Sequence, residues 1–363
     1  MLYLNPAGLS PFHPDVQREV TKTLDIFSRE LYSESGIKLY REILEQSRRT
    51  IASWLELEES QQIAFVPNTT TACSLTLSRI HWKSGDILLT TTHENSTILH
   101  EIDALQNRGV RILSLDPDAT IGFLPALERT LNEHIVRAIV ISHVSHLDGR
   151  IFPLASIQAL ARTHRALFIV DGAQAVGQIP VSFRHLQTDT YFFPGHKWCA
   201  GPMGTGALIL SEEFVKALAE PNKTKEHPTP DPQDGTSFEL GTQNIGLIAG
   251  FAKACSMKHQ EGLQNPALDK IREKWKTCLQ RYQGMKILEW EGPHAPGILS
   301  MVCLEEKTGK FMQAAASAHS LAWKTFAHPS YPSKLSIRIS WSTTTPPIDI
   351  HKAFACFSSS KNA

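Results

Sequence analysis

The sequence has no excess of either charge. Its 363 residues carry 36 Lys+Arg against 36 Asp+Glu, so no broad basic field exists to hold a phosphate backbone, and nucleic acid is not an expected partner. No apolar run approaches the roughly 20 residues that span a bilayer, so no membrane association is expected either. The opening Met1-Leu2-Tyr3-Leu4-Asn5-Pro6 lacks both the basic start and the apolar stretch of an export signal. Cysteine is scarce: Cys73, Cys199, Cys255, Cys278, Cys303 and Cys356 form no CxxC pair. That spacing is neither a disulfide framework nor a zinc knuckle, and it implies reduced thiols in a cytoplasmic protein. His143 and His146 make an HxxH pair, but no carboxylate or cysteine joins them at ligand spacing, so no metal is expected. What remains is an ordinary globular composition: 42% hydrophobic and 20% charged residues exclude a disordered chain.

The hydropathy pattern orders the chain. Residues 14–31 and 36–57 read as helices, the second carrying the stripe Leu39, Ile43, Ile51 and Leu55. Short apolar runs then alternate with helical segments. Strands are predicted at Gln62–Val66, Ile87–Thr91, Val110–Leu115, Ala138–Ser142, Leu167–Val170, Thr190–Phe193 and Ala207–Leu210. Runs apolar on both faces, separated by helices, predict a mostly parallel sheet covered on both sides. Pro221 to Gly235, rich in Pro, Lys and Asp, reads as an exposed loop before a helix near 243–259. Beyond it the pattern changes. An amphipathic helix over 266–283 leads into strands at Lys286–Trp290 and Ile298–Leu304, a helix near 308–319, strands near 321–326 and 335–341, and a last helix. The expectation is a large α/β unit over 16–260 and a small C-terminal α+β domain over 261–363.

Three motifs carry chemistry. Asp171, in Val170-Asp171-Gly172-Ala173-Gln174, ends a buried strand, the edge where parallel sheets bind ligands. A carboxylate there needs a cationic partner, although a helix cap explains the residue equally well. Lys197 follows another apolar strand in Gly195-His196-Lys197-Trp198 and precedes the glycine-rich Gly201–Gly206. That segment is not GxGxxG, so a dinucleotide is unsupported. A partly buried lysine becomes a nucleophile toward aldehydes; an ordinary surface lysine is the alternative. Asn68-Thr69-Thr70-Thr71 opens a helix, where free N–H groups hold an anion or merely receive a cap. Pyridine nitrogen, aldehyde and phosphate are the three partners these motifs seek, and pyridoxal 5'-phosphate has all three.

With these residues the chain resembles, from Tyr3 to about Ile350, the fold-type-I pyridoxal-phosphate enzymes of the class V aminotransferase and cysteine desulfurase family. The stretch Trp82–Thr90, and His196-Lys197-Trp198 with Ala200-Gly201-Pro202, look most like cyanobacterial-type cysteine/cystine C–S lyases. The resemblance implies the PLP-dependent transferase fold, with a large mostly parallel seven-stranded sheet, and a homodimer with a shared active site. It implies that Lys197 binds the cofactor aldehyde and moves the substrate Cα proton. Asp171 would hold the ring nitrogen and Gln174 the ring oxygen. Thr70 and Thr71 would hold the phosphate with His196, and Thr242 would reach the partner subunit's phosphate. Arg338, alone in the apolar Leu335–Ser340 run, would bind the carboxylate of an amino-acid substrate, a structural salt bridge being the alternative. Residues 1–15, with Ala7 and Gly8, would form a loop over the substrate, and Lys324 would supply a second basic group.

Three departures accompany the likeness. Pro194 stands where many relatives have a hydroxyl for the phosphate. The ring-stacking position falls on Asn95 by ungapped register, with His93 two residues earlier. His146 lies next to Leu147, where relatives have an asparagine, and is a candidate substrate contact. The implied activity is β-elimination from cysteine, cystine or an S-substituted cysteine. The segment Phe326–Lys334, where desulfurases of the family carry a persulfide-forming cysteine, has none. Transamination, epimerisation or racemisation, and a catalytically inactive PLP-fold binding protein, are the alternatives.

Overall fold

The computed structural model describes residues 2–345 except 32, 219–233, 264–265, 282–283, 319 and 344. The chain opens with β1 (Leu2–Tyr3), α1 (Pro14–Glu30) and α2 (Glu34–Leu55). The alternating section holds β2 (Ile63–Val66), α3 (Thr69–Arg79), β3 (Ile87–Thr91), α4 (Ser96–Asp103), β4 (Arg111–Leu115) and α5 (Phe123–Glu133). It continues through β5 (Val136–Ser142), α6 (Leu154–Thr163), β6 (Leu167–Asp171), β7 (Thr190–Pro194) and β8 (Gly206–Leu210). Then follow α7 (Glu212–Leu218), α8 (Ile245–Glu261), α9 (Pro266–Leu279), β9 (Met285–Leu288) and β10 (Ile298–Cys303). The last described elements are α10 (Glu306–Ala318), β11 (Leu321–Ala322), β12 (Lys324–His328) and β13 (Tyr331–Ser340).

The predicted mostly parallel sheet is present, with seven strands in the order β2-β8-β7-β6-β5-β3-β4. Only β8 runs against its neighbours, pairing antiparallel with both β2 and β7. Every residue of β2, β3, β7 and β8 is buried, which is why these runs carry no polar alternation. Alternate residues serve opposite faces: Ile139 and Ile141 pack into one core with Tyr191 and Phe193, while Ala138 and Val140 pack into the other with Phe192. The first core is sealed by α2 and α8, through Ile51, Trp54 and Phe251.

The C-terminal sheet domain is smaller: an antiparallel sheet β12-β13-β10-β9 whose core includes Trp275, Met301, Ile337 and Trp341. The N-terminal segment belongs to it in space. β1 pairs with β11, and Ser340 N–H donates to the Leu4 carbonyl at 2.9 Å.

The structure corrects several boundaries. The helix expected near 95–107 is α4 followed by a 3-10 turn at Ala104–Arg108. The helix expected over 266–283 ends at Leu279. The strand near 321–326 is two strands, and the one near 335–341 begins at Tyr331. The hairpin of β12 and β13 has an irregular register between Phe326 and His328, and its tip is mostly exposed, so it shows no apolar periodicity. The Pro221–Gly235 loop, apart from its last two residues, and the final helix lie outside the described residues. Among the described residues no helix is long and apolar enough to cross a membrane.

Candidate active site

One edge of the large sheet gathers the chemistry. β2, β3, β5, β6 and β7 point the same way, and at their C-terminal ends the chain turns through Asn68–Thr71, His93–Asn95, Ser142–His146, Asp171–Gln174 and Gly195–Lys197. Helix-connected parallel strands present their loops on that side. A narrow cleft lies there, lined by Asn95, Ser142, Val144, His146, Asp171, Ala173, Gln174 and Lys197. Wider concavities lie on the outer faces of α1, α2 and α8, away from that edge. The strongly shifted groups cluster at the sheet edge, and they define the site.

Asp171 is 3% exposed, and its Oδ1 accepts from the Ala173 N–H at 2.8 Å. Burial raises its pKa, with Lys197 opposing the shift. Gly172 is required here, because a Cβ would meet the Tyr191 ring at 2.1 Å. Lys197 is enclosed on the same cleft: burial and Arg338 pull its ammonium down to about 8, against the opposing pull of Asp171. At that value a useful fraction of the amine is neutral near physiological pH.

Gln174 is braced on both ends. Its Nε2 donates to the Ala7 carbonyl at 3.0 Å and its Oε1 accepts from Trp198 Nε1 at 2.7 Å. One amide hydrogen remains for a ring oxygen. Thr70 sits at the start of α3 with its hydroxyl 3.1 Å from Thr97 Oγ1. The N–H of Thr71 is already capped by Asn68 Oδ1 at 2.8 Å, which leaves the N–H groups of Thr69 and Thr70 for an anion. His196 has a buried Nδ1 with no partner, and burial lowers its pKa to about 4.

Asn95, not His93, borders the cleft. Its Oδ1 accepts from Thr97 N–H at 3.0 Å as the cap of α4. His93 turns inward and is fully buried. Between them Glu94, which the sequence reading passed over, is buried with hydrogen bonds from Thr91 Oγ1 at 2.6 Å and Ser142 Oγ at 2.5 Å. Desolvation pushes its carboxyl up to about 7. The available signal was a glutamate three residues past a fully buried strand.

Arg338 is 4% exposed on β13. Its guanidinium donates to the His146 carbonyl at 2.9 Å and to Asn5 Oδ1 at 3.1 Å, and its Nε has no partner. Among the described residues no carboxylate lies within ion-pair distance of it, so the structural salt bridge is not formed. Burial lowers its pKa to about 10. His146 lines the cleft with Nδ1 unpartnered, and burial brings it to about 3. Ala7 is buried and its N–H donates to Ser340 Oγ at 3.1 Å, so the N-terminal loop is docked on the site. Gly8 follows in the same turn, half-buried. Lys324 is exposed on β12, opposite Arg338 in register, and Thr242 is exposed ahead of α8. Neither borders the cleft in its own chain. His143 Nδ1 is engaged with Tyr191 Oη at 2.9 Å, and the HxxH pair gathers no third ligand among the described residues.

The donor set fits pyridoxal phosphate: a buried carboxylate, a depressed lysine and a spare amide hydrogen on one cleft, with the free N–H groups of Thr69 and Thr70 at the start of α3 on the same sheet edge.

The chain is similar in sequence and fold to known proteins. The family model of class-V aminotransferases matches residues 15–317. A probable cysteine desulfurase of Pyrococcus abyssi is 28% identical over 264 residues, 69% of this chain and 64% of that protein. A cysteine desulfurase of Escherichia coli O157:H7 is 30% identical over 242 residues, 62% of this chain. The chain spans only 58% of that relative's length. In fold, a solved cystine C–S lyase in complex with its reaction product, cysteine persulfide, superposes with TM-score 0.84 at 23% identity, covering 98% of this chain and 97% of that one. A cysteine desulfurase from Thermococcus onnurineus NA1 gives TM-score 0.81 at 21% identity over 99% of this chain and 94% of that one.

Proposed function

We propose, for a chain that belongs to the class-V aminotransferase family, that it is a pyridoxal-phosphate enzyme cleaving the C–S bond of cysteine, cystine or an S-substituted cysteine. The observation that carries the reading is the buried, carboxylate-free Arg338 beside a cleft that joins Asp171 to Lys197. A buried guanidinium without an anion is costly, and a substrate carboxylate supplies the missing partner.

Bound in the cleft, pyridoxal phosphate supplies an electron sink for negative charge developing at the substrate Cα. Asp171 would hold its ring nitrogen, Gln174 its ring oxygen, and Thr70, Thr71 and His196 its phosphate. Arg338 fixes the substrate carboxylate in the plane set by Asn5 and the His146 carbonyl. Neutral Lys197 Nζ then accepts the Cα proton, and its depressed pKa raises the fraction of that amine that is neutral and able to do so. Ala7 and the buried Trp198 close the side of Gln174 away from water.

Elimination is favoured over a protein-bound persulfide by the placement of cysteine. Among the described residues, Cys73, Cys199, Cys255, Cys278 and Cys303 are all buried free thiols and none borders the cleft, while Cys356 lies outside the described residues. A thiol that does not reach the substrate sulfur cannot attack it. The reading includes a cytoplasmic homodimer in which the exposed Thr242 serves the partner's site, with residues 1–15 as the substrate loop, 16–260 as the cofactor-binding unit and 261–363 as the small domain.

The test is cofactor-loaded enzyme with cystine, its products followed by mass spectrometry. Pyruvate and ammonia are expected. Alanine with a persulfide on a protein cysteine overturns the elimination branch; a keto acid retaining sulfur, or an inverted amino acid, assigns transamination or epimerisation instead.

A further inference from the structure

Beside the cleft lies a second cluster that the reaction does not use. His93, in the turn after β3, is fully buried, and His328, closing β12, is 2% exposed. Their rings meet edge to face with centroids 5.2 Å apart, and the Nε2 of each is buried without a hydrogen-bond partner. Asp118, in the turn after β4, reaches the same point: its Oδ2 is 3.9 Å from His93 Nε2. One ligand atom from each of the three residues lies within 4.8 Å of the others.

We propose that His93, His328 and Asp118 form a binding site for a divalent transition cation of the zinc class. Two imidazoles and a carboxylate are a usual three-ligand set for zinc, with a fourth position left to water. Bonds of about 2.0–2.2 Å require the ligand atoms to draw in by about an ångström. His328 stands next to the exposed Pro329-Ser330 turn, where such a shift is cheapest.

The surroundings complete the set. His93 Nδ1 faces Ser145 Oγ at 3.4 Å and Asp148 Oδ2 at 3.9 Å, so a carboxylate orients the ring from behind and favours a free lone pair on Nε2. Asp148 and Asp118 share Arg150, which leaves one net negative charge for the ion to neutralise. Asp118 is exposed and provides the route from solvent. The cost is specific. His328 Nδ1 accepts a long 3.2 Å bond from Ser330 N–H, so ligation through Nε2 must displace that bond and move the ring proton to Nδ1. Ser330 Oγ, now on Asp118 Oδ2 at 2.9 Å, must yield too.

The ligands come from the large sheet edge and from the hairpin of the small domain. Because β12 pairs with β13, Lys324 opposite Arg338, the ion would tie the strand carrying Arg338 to the large domain.

The test is calorimetric titration of tag-free, chelator-washed holoenzyme with Zn²⁺, repeated with Co²⁺ as the optical probe. The expected result is one tight equivalent per chain, with four-coordinate cobalt absorption that Zn²⁺ displaces. His328→Gln and His93→Gln should each weaken binding by at least a hundredfold. His328→Cys should keep binding and add a cobalt–thiolate charge-transfer band, a gain of signal that a misfolded variant cannot give. Absence of a stoichiometric site, binding unchanged in both glutamine variants, or no thiolate band in folded His328→Cys would overturn the proposal. None of these readouts depends on turnover, so they stand apart from the proposed lyase reaction.

Discussion

Arg338 Nη2 donates to Asn5 Oδ1 across 3.1 Å, joining the small-domain sheet to the N-terminal loop with a neutral acceptor where a buried cation would ordinarily take a carboxylate. Asn5 and the His146 carbonyl aim the guanidinium without neutralising it. Arg338→Lys keeps the charge and loses the fork. We expect kcat/KM for amino-acid substrates to fall by about 10- to 100-fold, the worth of about 1.5–3 kcal/mol for a charged hydrogen bond. Cofactor content, read from visible absorbance, should stay normal. Loss of folded protein instead would mean that Arg338 serves the fold.

Asp171 predicts a different signature. Its carboxylate is buried at full desolvation cost and has Lys197 as its nearest cationic influence. Asp171→Ala should bind cofactor more weakly and, at saturating cofactor, lower kcat by about 10²- to 10³-fold, the usual cost of removing one preorganised electrostatic group. A rise in KM alone, with kcat intact, would place its role outside the chemical step.

Glu94 makes a prediction about stability. Its folded pKa of about 7 lies above the ordinary 4.5. Between those values the folded state keeps a proton that the unfolded chain has lost. Stability therefore falls as pH rises through this window, by up to about 3 kcal/mol from this group alone. Glu94→Gln cannot ionise. Denaturant melts of the two proteins should converge at pH 4.5 and separate by pH 8, with the glutamine form the more stable. Parallel curves across that range would show that Glu94 is charged in the folded protein.

The large sheet was legible because parallel strands covered on both faces are written as uninterrupted apolar runs, as in Ala138–Ser142 and Thr190–Phe193. Asp171 and Lys197 were legible because a charged residue at the end of such a run is a local anomaly. The choice between Asn95 and His93 was not, since it turns on which residue caps α4 and which packs inward, a matter of backbone direction after β3. The β12–β13 hairpin was misread because its exposed tip and irregular register erase the alternation of a strand. The cluster of His93, Asp118 and His328 is assembled from three separate turns, and sequence spacing holds no trace of it.

Lys197 gives the most direct test of the site. Its amine is brought down to about 8 by burial and by Arg338, with Asp171 working against both. Only the neutral amine attacks the cofactor aldehyde. Uptake of pyridoxal phosphate by cofactor-stripped protein should therefore be slow at pH 6, accelerate through pH 8 and level off above it, once Lys197 has lost its proton. Borohydride should trap the cofactor on Lys197, identified by peptide mass. Arg338→Gln removes a neighbouring positive charge, so the midpoint of the same profile should move upward. Lys197→Ala should take up no covalently trappable cofactor and lose turnover by several orders of magnitude, because one residue both anchors the cofactor and moves the Cα proton. A midpoint near the ordinary lysine value of about 10.4 would show an amine open to water. Near-native turnover in Lys197→Ala would remove the residue from the chemistry altogether.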